Sequence, residues 1–149
     1  MSFEEENTVW QARRLEDLSY DYLAVGEHFM RGSPPQPSVA ALPLLGVAAG
    51  ATEKIRLLSA VLLTPFYHPV VLAKLATTLD VASGGRLTLG VGVGGEIPAE
   101  FEAASINVRH RGSLTNDCLD VLRRLWTETH VSHEGRHFHL KDVTLKPAP

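Results

Sequence analysis

The sequence has a single cysteine, Cys118, among its 149 residues, so no disulfide can form within the chain, as is usual in a reducing cytoplasm. It also lacks a basic excess: 14 lysines and arginines stand against 17 acidic residues, which argues against nucleic-acid binding. No apolar run reaches the roughly 18 residues of a membrane span. The acidic start, Glu4 to Glu6, is unlike a signal peptide. We therefore expect a cytoplasmic protein that binds neither nucleic acid nor membrane.

Three short apolar runs indicate buried strands near residues 22–27, 55–63 and 87–93. One helical pattern lies in each gap between them, and this alternation predicts consecutive βα units of a parallel sheet. A Glu134-Gly135 turn signal between short polar and apolar stretches predicts a β-hairpin over Val131 to Leu145. The helices are expected at Trp10–Ser19, Pro37–Ala51, Pro69–Ala82 and Arg109–Thr127.

An ordered set of short motifs resembles the bacterial luciferase-like monooxygenase family. Each motif alone is weak, but their order and spacing agree with the family from about Trp10 to Pro149. The motifs are Tyr-Asp-Tyr-Leu-Ala-Val-Gly-Glu-His (20–28), Ala-Thr-Glu-Lys-Ile-Arg-Leu (51–57), His-Pro-Val-Val-Leu-Ala-Lys (68–74), Thr-Leu-Asp-Val-Ala-Ser-Gly-Gly-Arg-Leu (78–87), Leu-Gly-Val-Gly-Val-Gly (89–94), Arg111-Gly112 and Glu134-Gly135-Arg136.

The resemblance implies an α/β fold, a partial (β/α)8 TIM barrel that runs from strand two to helix four and then into a hairpin insertion. We expect one truncated domain over 1–149, with βα units over 10–129 and the hairpin segment over 130–149. A complete barrel needs about 200 residues or more. The partner would be a missing half-barrel or a second copy of the chain, because subunits of the family commonly pair through the helices after strands two and three.

The resemblance also implies an oxidoreductase that acts on a small-molecule substrate with reduced flavin mononucleotide (FMN) and oxygen, or with the deazaflavin F420. The later strands of such enzymes supply many cofactor contacts, so the alternative is a non-catalytic module for cofactor binding or subunit association. The sequence does not identify the substrate or choose between the two cofactors.

Barrel enzymes place their active sites at the carboxyl ends of the strands and use the opposite end for stability. Arg56 and Arg86 stand at strand starts and are expected to be structural. The carboxyl-end candidates are Glu27 and His28 as catalytic residues, with Thr64, Gly92, Gly94, Gly95 and Glu96 as cofactor-binding residues.

Glu27 and His28 are neighbours on a strand end, so only one of them is expected to face the barrel mouth. A histidine there can exchange a hydrogen bond or a proton with a cofactor or substrate near neutral pH, and the resemblance favours this role for His28. The alternative is that His28 caps the strand end.

The glycines after the third strand leave room for a ring or phosphate to approach the backbone; the alternative is tight packing of a bulged strand. Glu96 is either a hydrogen-bond acceptor in the mouth or a solvated loop acid.

The second strand resembles the strand in which deazaflavin-using members carry a non-proline cis peptide against the cofactor ring. The resemblance therefore makes Ala60 and Val61 candidate cofactor contacts, with their peptide bond either cis or an ordinary trans bond. We also expect an open apolar face that includes Ala60, Leu62, Leu89 and Val91.

The remaining histidines and the cysteine suggest no further chemistry. His133, His137 and His139 fall in the predicted hairpin, where no cysteine or carboxylate completes a convincing zinc set, so no metal is expected. His68 precedes Pro69 at a helix start and is read as structural, with a place in the barrel mouth as the alternative. Cys118 lies on the apolar face of a helix and is read as buried packing.

Overall fold

The computed structural model describes residues 7–32, 34 and 36–149, so Glu4 to Glu6 lie outside it. The chain divides into two compact units, Met1–Leu62 with Leu79–Val91, and Leu63–Thr78 with Gly92–Pro149. Short 3-10 turns cover Thr64–Phe66 and Val108–His110. The helices are α1 (Thr8–Asp17), α2 (Ala41–Ala51), α3 (Pro69–Ala82), α4 (Pro98–Ala103) and α5 (Arg111–Thr127); the strands are β1 (Tyr22–Val25), β2 (Arg56–Leu63), β3 (Leu87–Gly92), β4 (Val131–Glu134) and β5 (His139–Val143).

The three predicted core strands form one sheet in the order β1-β2-β3. Strands β1 and β2 pair in parallel, with Tyr22 opposite Arg56 and Val25 opposite Ser59. The backbone N–H of Leu57 donates to the carbonyl oxygen of Arg86 at 2.9 Å, and the Ser59 hydroxyl donates to that of Gly90 at 2.9 Å. Residue numbers thus rise together along β2 and β3, which makes this pair parallel as well. The predicted α/β fold is confirmed.

The predicted hairpin is confirmed at the end of the chain. Strands β4 and β5 pair antiparallel, with Glu134 opposite His139 and an irregularity between Val131 and His133. This hairpin belongs to the second unit, in which α5 packs against β4.

Helix α2 begins at Ala41, four residues later than predicted. Residue Ala40 is still extended, with ψ at 131°. A start at Pro37 would have put Pro43 in the helix interior, where its missing N–H breaks the hydrogen-bond ladder and its ring clashes with the preceding turn. With the start at Ala41, Pro43 falls in the first turn, whose N–H groups have no partner within the helix.

Helix starts elsewhere depend on asparagine caps that the apolar pattern did not reveal. The Asn7 side chain accepts a hydrogen bond of 2.9 Å from the backbone N–H of Val9, so α1 begins at Thr8 rather than Trp10. The Asn107 side chain accepts from Arg109 N–H at 3.0 Å and starts the 3-10 turn before α5. The short helix α4, with Pro98 as its first residue, was not predicted.

The predicted open face agrees with the structure at Ala60 and is wrong at Leu62. Ala60 is exposed, and Leu89 and Val91 are half-buried, as is all of β3. Leu62 is instead fully buried. The reason is that the alternation of buried and less buried residues in β2 is interrupted after Ser59. Leu57 and Ser59 are buried, but Ala60 and Val61 are both exposed. Burial then resumes at Leu62, whereas an unbroken alternation would bury the odd-numbered residues.

The turn before β2 is held by the carboxylate of Glu16, at the end of α1. Its oxygens accept hydrogen bonds from the backbone N–H groups of Glu53, Lys54 and Ile55, at distances of 2.6 to 3.1 Å. Burial acts to raise the pKa of Glu16, but these three donors, together with the positive charge of Arg86, outweigh it and hold the pKa below its usual value of 4.5. Glu16 therefore stabilises the folded chain in its charged form.

This lowered pKa predicts how stability changes with acidity. A carboxylate whose pKa is depressed by folding contributes stability above its unfolded pKa, and that contribution is lost as the pH falls through the folded value. We expect the free energy of unfolding, measured in urea, to fall between pH 5 and more acidic conditions by less in Glu16→Gln than in the wild type. Asp17→Asn, an exposed neighbour on the same helix, is the control. Identical pH profiles for the wild type and Glu16→Gln would contradict the assignment.

Candidate active and cofactor-binding site

The carboxyl end of β1 separates the two residues predicted to be catalytic. Glu27 is 2% exposed, and its Oε1 accepts a hydrogen bond of 3.0 Å from the backbone N–H of Ala41, the first residue of α2. Ala40, the N-cap residue, makes no side-chain cap bond of its own, so Glu27 caps this helix from the end of the neighbouring strand. Its contact fits a positioning role, and the catalytic role remains a prediction.

His28 faces a cavity of about 220 Å³ at the same strand end. The ring is half-buried, whereas its neighbour Glu27 is enclosed, which agrees with the expectation that only one of the pair faces open space. The histidine is therefore the residue of this pair that a bound molecule can reach. The cavity is lined by Ala24, Val25, Gly26, His28, Arg31, Pro37, Ser38, Val39 and Leu44.

The exposed stretch of β2 is the other candidate contact in the first unit. The peptide bond between Ala60 and Val61 is cis. Both residues are exposed, and the carbonyl oxygen of Ala60 lies close to Gly26, where an added Cβ atom would meet it at 3.3 Å. Gly26 thus lets the ends of β1 and β2 approach one another closely. The cofactor contacts of Ala60 and Val61 remain predictions.

In the second unit, the glycines after β3 lie beside an arginine. Gly94 and Gly95 both have positive φ, at 59° and 116°. A Cβ atom on Gly95 would stand 2.9 Å from Nε of Arg111, so a side chain there would displace the guanidinium. Arg111 is held in place because its Nη1 donates to the carbonyl oxygen of Val108 at 3.0 Å. A cation is thereby fixed against backbone that has no side chain, a pattern suited to an anion.

Thr64 contributes a buried hydroxyl to the same unit. The residue is fully buried at the start of the turn after β2, and its Oγ1 has no hydrogen-bond partner among the residues that the structure describes. An unsatisfied buried hydroxyl is costly, and a ligand atom is one way to satisfy it. The side chain of the preceding Leu63 packs at Gly94. The cofactor contacts of Thr64 and Gly94 remain predictions.

Glu96 and Gly92 receive less support from the geometry. Glu96 is exposed, as a solvated loop acid would be, and Gly92 is the last residue of β3. Their predicted roles in cofactor binding remain predictions.

Arg111 is the residue that the sequence analysis did not select for the site. It appeared only as part of the Arg111-Gly112 motif. The signal that could have identified it is the pair Gly94-Gly95: two consecutive glycines after a strand leave backbone uncovered, and an anion site there needs a cation from elsewhere in the chain. Only the folded chain shows that Arg111 supplies it.

His68, His130 and His139 have structural partners. His68 Nδ1 accepts a hydrogen bond of 3.3 Å from Val70 N–H at the start of α3, which agrees with its structural reading. In the hairpin, His130 pairs with Asp142, and His139 pairs with Glu134. Within residues 7–32, 34 and 36–149, no group of three or more histidine, cysteine, aspartate or glutamate side chains is arranged to hold a metal ion.

The hairpin is fastened to α5 by the pair Asp117 and His133, both only 10% exposed. Asp117 Oδ1 and His133 Nε2 are 2.6 Å apart, and Oδ2 accepts from the backbone N–H groups of His137 and Phe138. Burial acts to raise the pKa of Asp117, but these donors and His133 outweigh it and keep the pKa below its usual 3.8. Burial, with the Asp117 charge, raises the pKa of the neighbouring Cys118 to about 12, so its thiol is inert packing.

Asp117→Asn should destabilise the chain by about 2 kcal/mol, because it removes the charge that His133 and two backbone donors share. The matched control is Asp120→Asn, whose carboxylate is 63% exposed and lies 3.6 Å from the same histidine. Urea unfolding at pH 7 measures both. An equal loss in the two variants would show that the buried pair is not what fastens the hairpin.

The family model described as luciferase-like monooxygenase matches residues 3–149. The chain therefore belongs to the luciferase-like monooxygenase family. Across the described residues, no helix is both long and apolar enough to cross a membrane.

Individual relatives include both monooxygenases and F420-dependent enzymes. The chain is 36% identical over 143 residues to 4-hydroxyprotoasukamycin monooxygenase of Streptomyces nodosus subsp. asukaensis, covering 93% of the chain and 37% of the relative. It is 30% identical over 141 residues to F420-dependent glucose-6-phosphate dehydrogenase of Microbacterium testaceum, covering 90% and 41%. A further relative is named for its dependence on FMNH2.

Among solved structures, monooxygenase RslO1 from Streptomyces bottropensis superimposes with a TM-score of 0.84 at 29% identity, covering 95% of this chain and 42% of the other. The chain thus spans about two fifths of the length of the relatives that it matches. It corresponds to part of their (β/α)8 barrel, as the sequence predicts.

Proposed function

We propose that this chain is the cofactor-binding part of a flavin- or F420-dependent oxidoreductase of the luciferase-like type. The observation that carries the proposal is the guanidinium of Arg111 fixed against Gly95. Both FMN and F420 carry a phosphate group, and a fixed arginine beside bare backbone is suited to holding one. Family membership supports this chemistry, since named relatives use F420 or FMNH2.

The candidate residues of each unit would have separate roles. Arg111, with Gly94 and Gly95, would hold the cofactor phosphate, and the hydroxyl of Thr64 would gain a partner. His28 would exchange a hydrogen bond or a proton with a substrate oxygen at the end of β1. The bound cofactor supplies the electron transfer itself, while the protein binds and orients it.

Titration of the chain with FMN and F420, each oxidised and reduced, tests the proposal. We expect one of the two to bind, with changes in its absorbance or fluorescence, and Arg111→Met to weaken it about tenfold or more, because a charge-assisted contact to phosphate is lost. Arg109→Met, an exposed arginine two residues earlier, is the matched control. Failure of the wild type to bind either cofactor, or equal weakening in both variants, would overturn the proposal.

A second candidate is favoured by the share of the relatives that the chain covers, 37% and 41%. In it, the chain is a non-catalytic module that binds cofactor or associates with a second copy or with the remainder of a barrel. Turnover separates the candidates: reduced cofactor that binds but is consumed under air no faster than in free solution supports the module. Sizing with light scattering then shows whether the chain is a monomer, a homo-oligomer or a partner of a separate half-barrel.

A further inference from the structure

The described lining of the cavity beside His28 includes a positively charged residue and no acidic residue. Its polar residues are His28, Arg31 and Ser38, and no aspartate or glutamate belongs to its described lining. The nearest carboxylate along the chain, that of Glu27, is committed to the Ala41 N–H at the start of α2. The remaining lining residues are apolar or glycine. The cavity is therefore an apolar space with a positive side and no described negative group.

Arg31 is the permanent charge in this lining. No ion pair between Arg31 and a carboxylate occurs among the residues that the structure describes, and Arg31 is an exposed residue of the cavity lining. The backbone nearby is fixed, since the carbonyl oxygen of Arg31 accepts a hydrogen bond of 2.6 Å from Gln36 N–H. A guanidinium presents a planar fork of donors that matches a carboxylate or a similar oxyanion. An uncompensated arginine at an otherwise apolar cavity favours a ligand that brings the opposite charge.

The size of the cavity limits what that ligand can be. A volume of about 220 Å³ is below the roughly 300–1,000 Å³ of sites that enclose drug-sized molecules. One ring or a short chain fills it.

From this lining and size, we propose that the cavity takes a small, mainly apolar substrate with one anionic oxygen, which Arg31 pairs while His28 faces the rest of the molecule. Arg31 is then the residue that selects the substrate class. The inference rests on the proposed function in one respect only: the ligand is called a substrate because the site belongs to an oxidoreductase.

Binding of benzoate, compared with the neutral benzyl alcohol, tests this proposal. Two-dimensional NMR of the 15N-labelled chain reports both the site and the affinity. We expect benzoate to shift the amides of Gly26, His28 and Val39 and to bind more tightly than benzyl alcohol. Arg31→Met should weaken benzoate about tenfold and leave benzyl alcohol unchanged, whereas Arg31→Lys should retain most of the preference.

Arg13→Met, an exposed arginine on α1, controls for the general loss of positive charge. Equal affinities for the two probes, shifts confined to other parts of the chain, or an Arg31→Met chain that binds benzoate like the wild type would each overturn the proposal. Because Arg31 is exposed, its variants are expected to fold, and their spectra show this directly.

Cofactor titration of the wild type distinguishes failure of this proposal from failure of the proposed function. Cofactor binding without benzoate binding removes only this inference, and the reverse result removes only the oxidoreductase assignment.

Discussion

Replacing Arg86 by methionine should lower the free energy of unfolding by about 4 kcal/mol. The guanidinium of Arg86 donates five hydrogen bonds, at 2.6 to 3.2 Å. The acceptors are the carbonyl oxygens of Ala49, Thr52, Ile55 and Ser83 and the hydroxyl of Thr52. Each hydrogen bond from a charged donor contributes about 1.5–3 kcal/mol, and bonds that share one donor group do not add fully. Methionine keeps the aliphatic stem but leaves these carbonyls without their donor.

Urea unfolding with the slope held constant measures the change. Arg13→Met is the matched control, because Arg13 is exposed on α1 and methionine and arginine have similar helix propensities. Arg86→Lys should recover only part of the loss, since a lysine lacks the planar fork that reaches several carbonyls at once. An Arg86→Met chain within about 1 kcal/mol of the wild type would mean that water replaces these bonds at little cost.

Gly90→Ala should destabilise the chain by about 3 kcal/mol, at the upper end of the cost of overpacking. A Cβ atom on Gly90 would overlap the carbonyl oxygen of Ser59, which is main chain of the adjacent strand and cannot rotate away. The Ser59 hydroxyl also donates a hydrogen bond to the carbonyl oxygen of Gly90. The added methyl group would therefore force the two strands apart. The cost is therefore steric and falls on the β2–β3 pairing.

The control is another glycine-to-alanine change in the same unit. Gly46 lies within α2, and nothing stands within 4 Å of a Cβ atom placed there. Gly46→Ala should raise the free energy of unfolding by about 0.5–1 kcal/mol, because alanine loses less backbone freedom in a helix. In thermal unfolding, we therefore expect the melting temperature to fall in Gly90→Ala and to rise in Gly46→Ala. A neutral Gly90→Ala would show that β3 can shift away from β2 without loss.

Arg86 and Gly90 also show which parts of the site depend on sheet geometry. Both hold β3 in register beside β2, and the register decides which residues reach the carboxyl end of the sheet. Arg86 lies at the amino end of β3, where it stabilises the start of the sheet, as its position in a βα pattern predicts. A loss of stability in these variants with cofactor binding retained would separate this scaffold from the binding residues themselves.

The sequence by itself determined the strand pattern and the family, because both depend on local order along the chain. Apolar runs of strand length with one helical stretch between them permit few other folds, and parallel pairing follows from the connections. The range Pro69–Ala82 for α3 was predicted to the residue, since Pro69 and the glycines after Ala82 mark its two ends. The hairpin was readable for the same reason, from a turn signal between two short strands.

Tertiary structure alone decided which charged and polar groups meet. The strand pattern does not decide which of Glu27 and His28 faces the barrel mouth, and only the position of the Ala41 N–H assigns the Glu27 carboxylate to a helix cap. Arg111 becomes part of a candidate phosphate site because folding brings Gly95 against it, across 15 intervening residues. Leu62 is buried because the alternation of buried and exposed residues in β2 is interrupted after Ser59, and the pattern of apolar residues does not predict this interruption. Hydrophobic periodicity is a local property that can be read from the sequence. Hydrogen bonds and close contacts between distant residues form only after the folded backbone has brought those residues together.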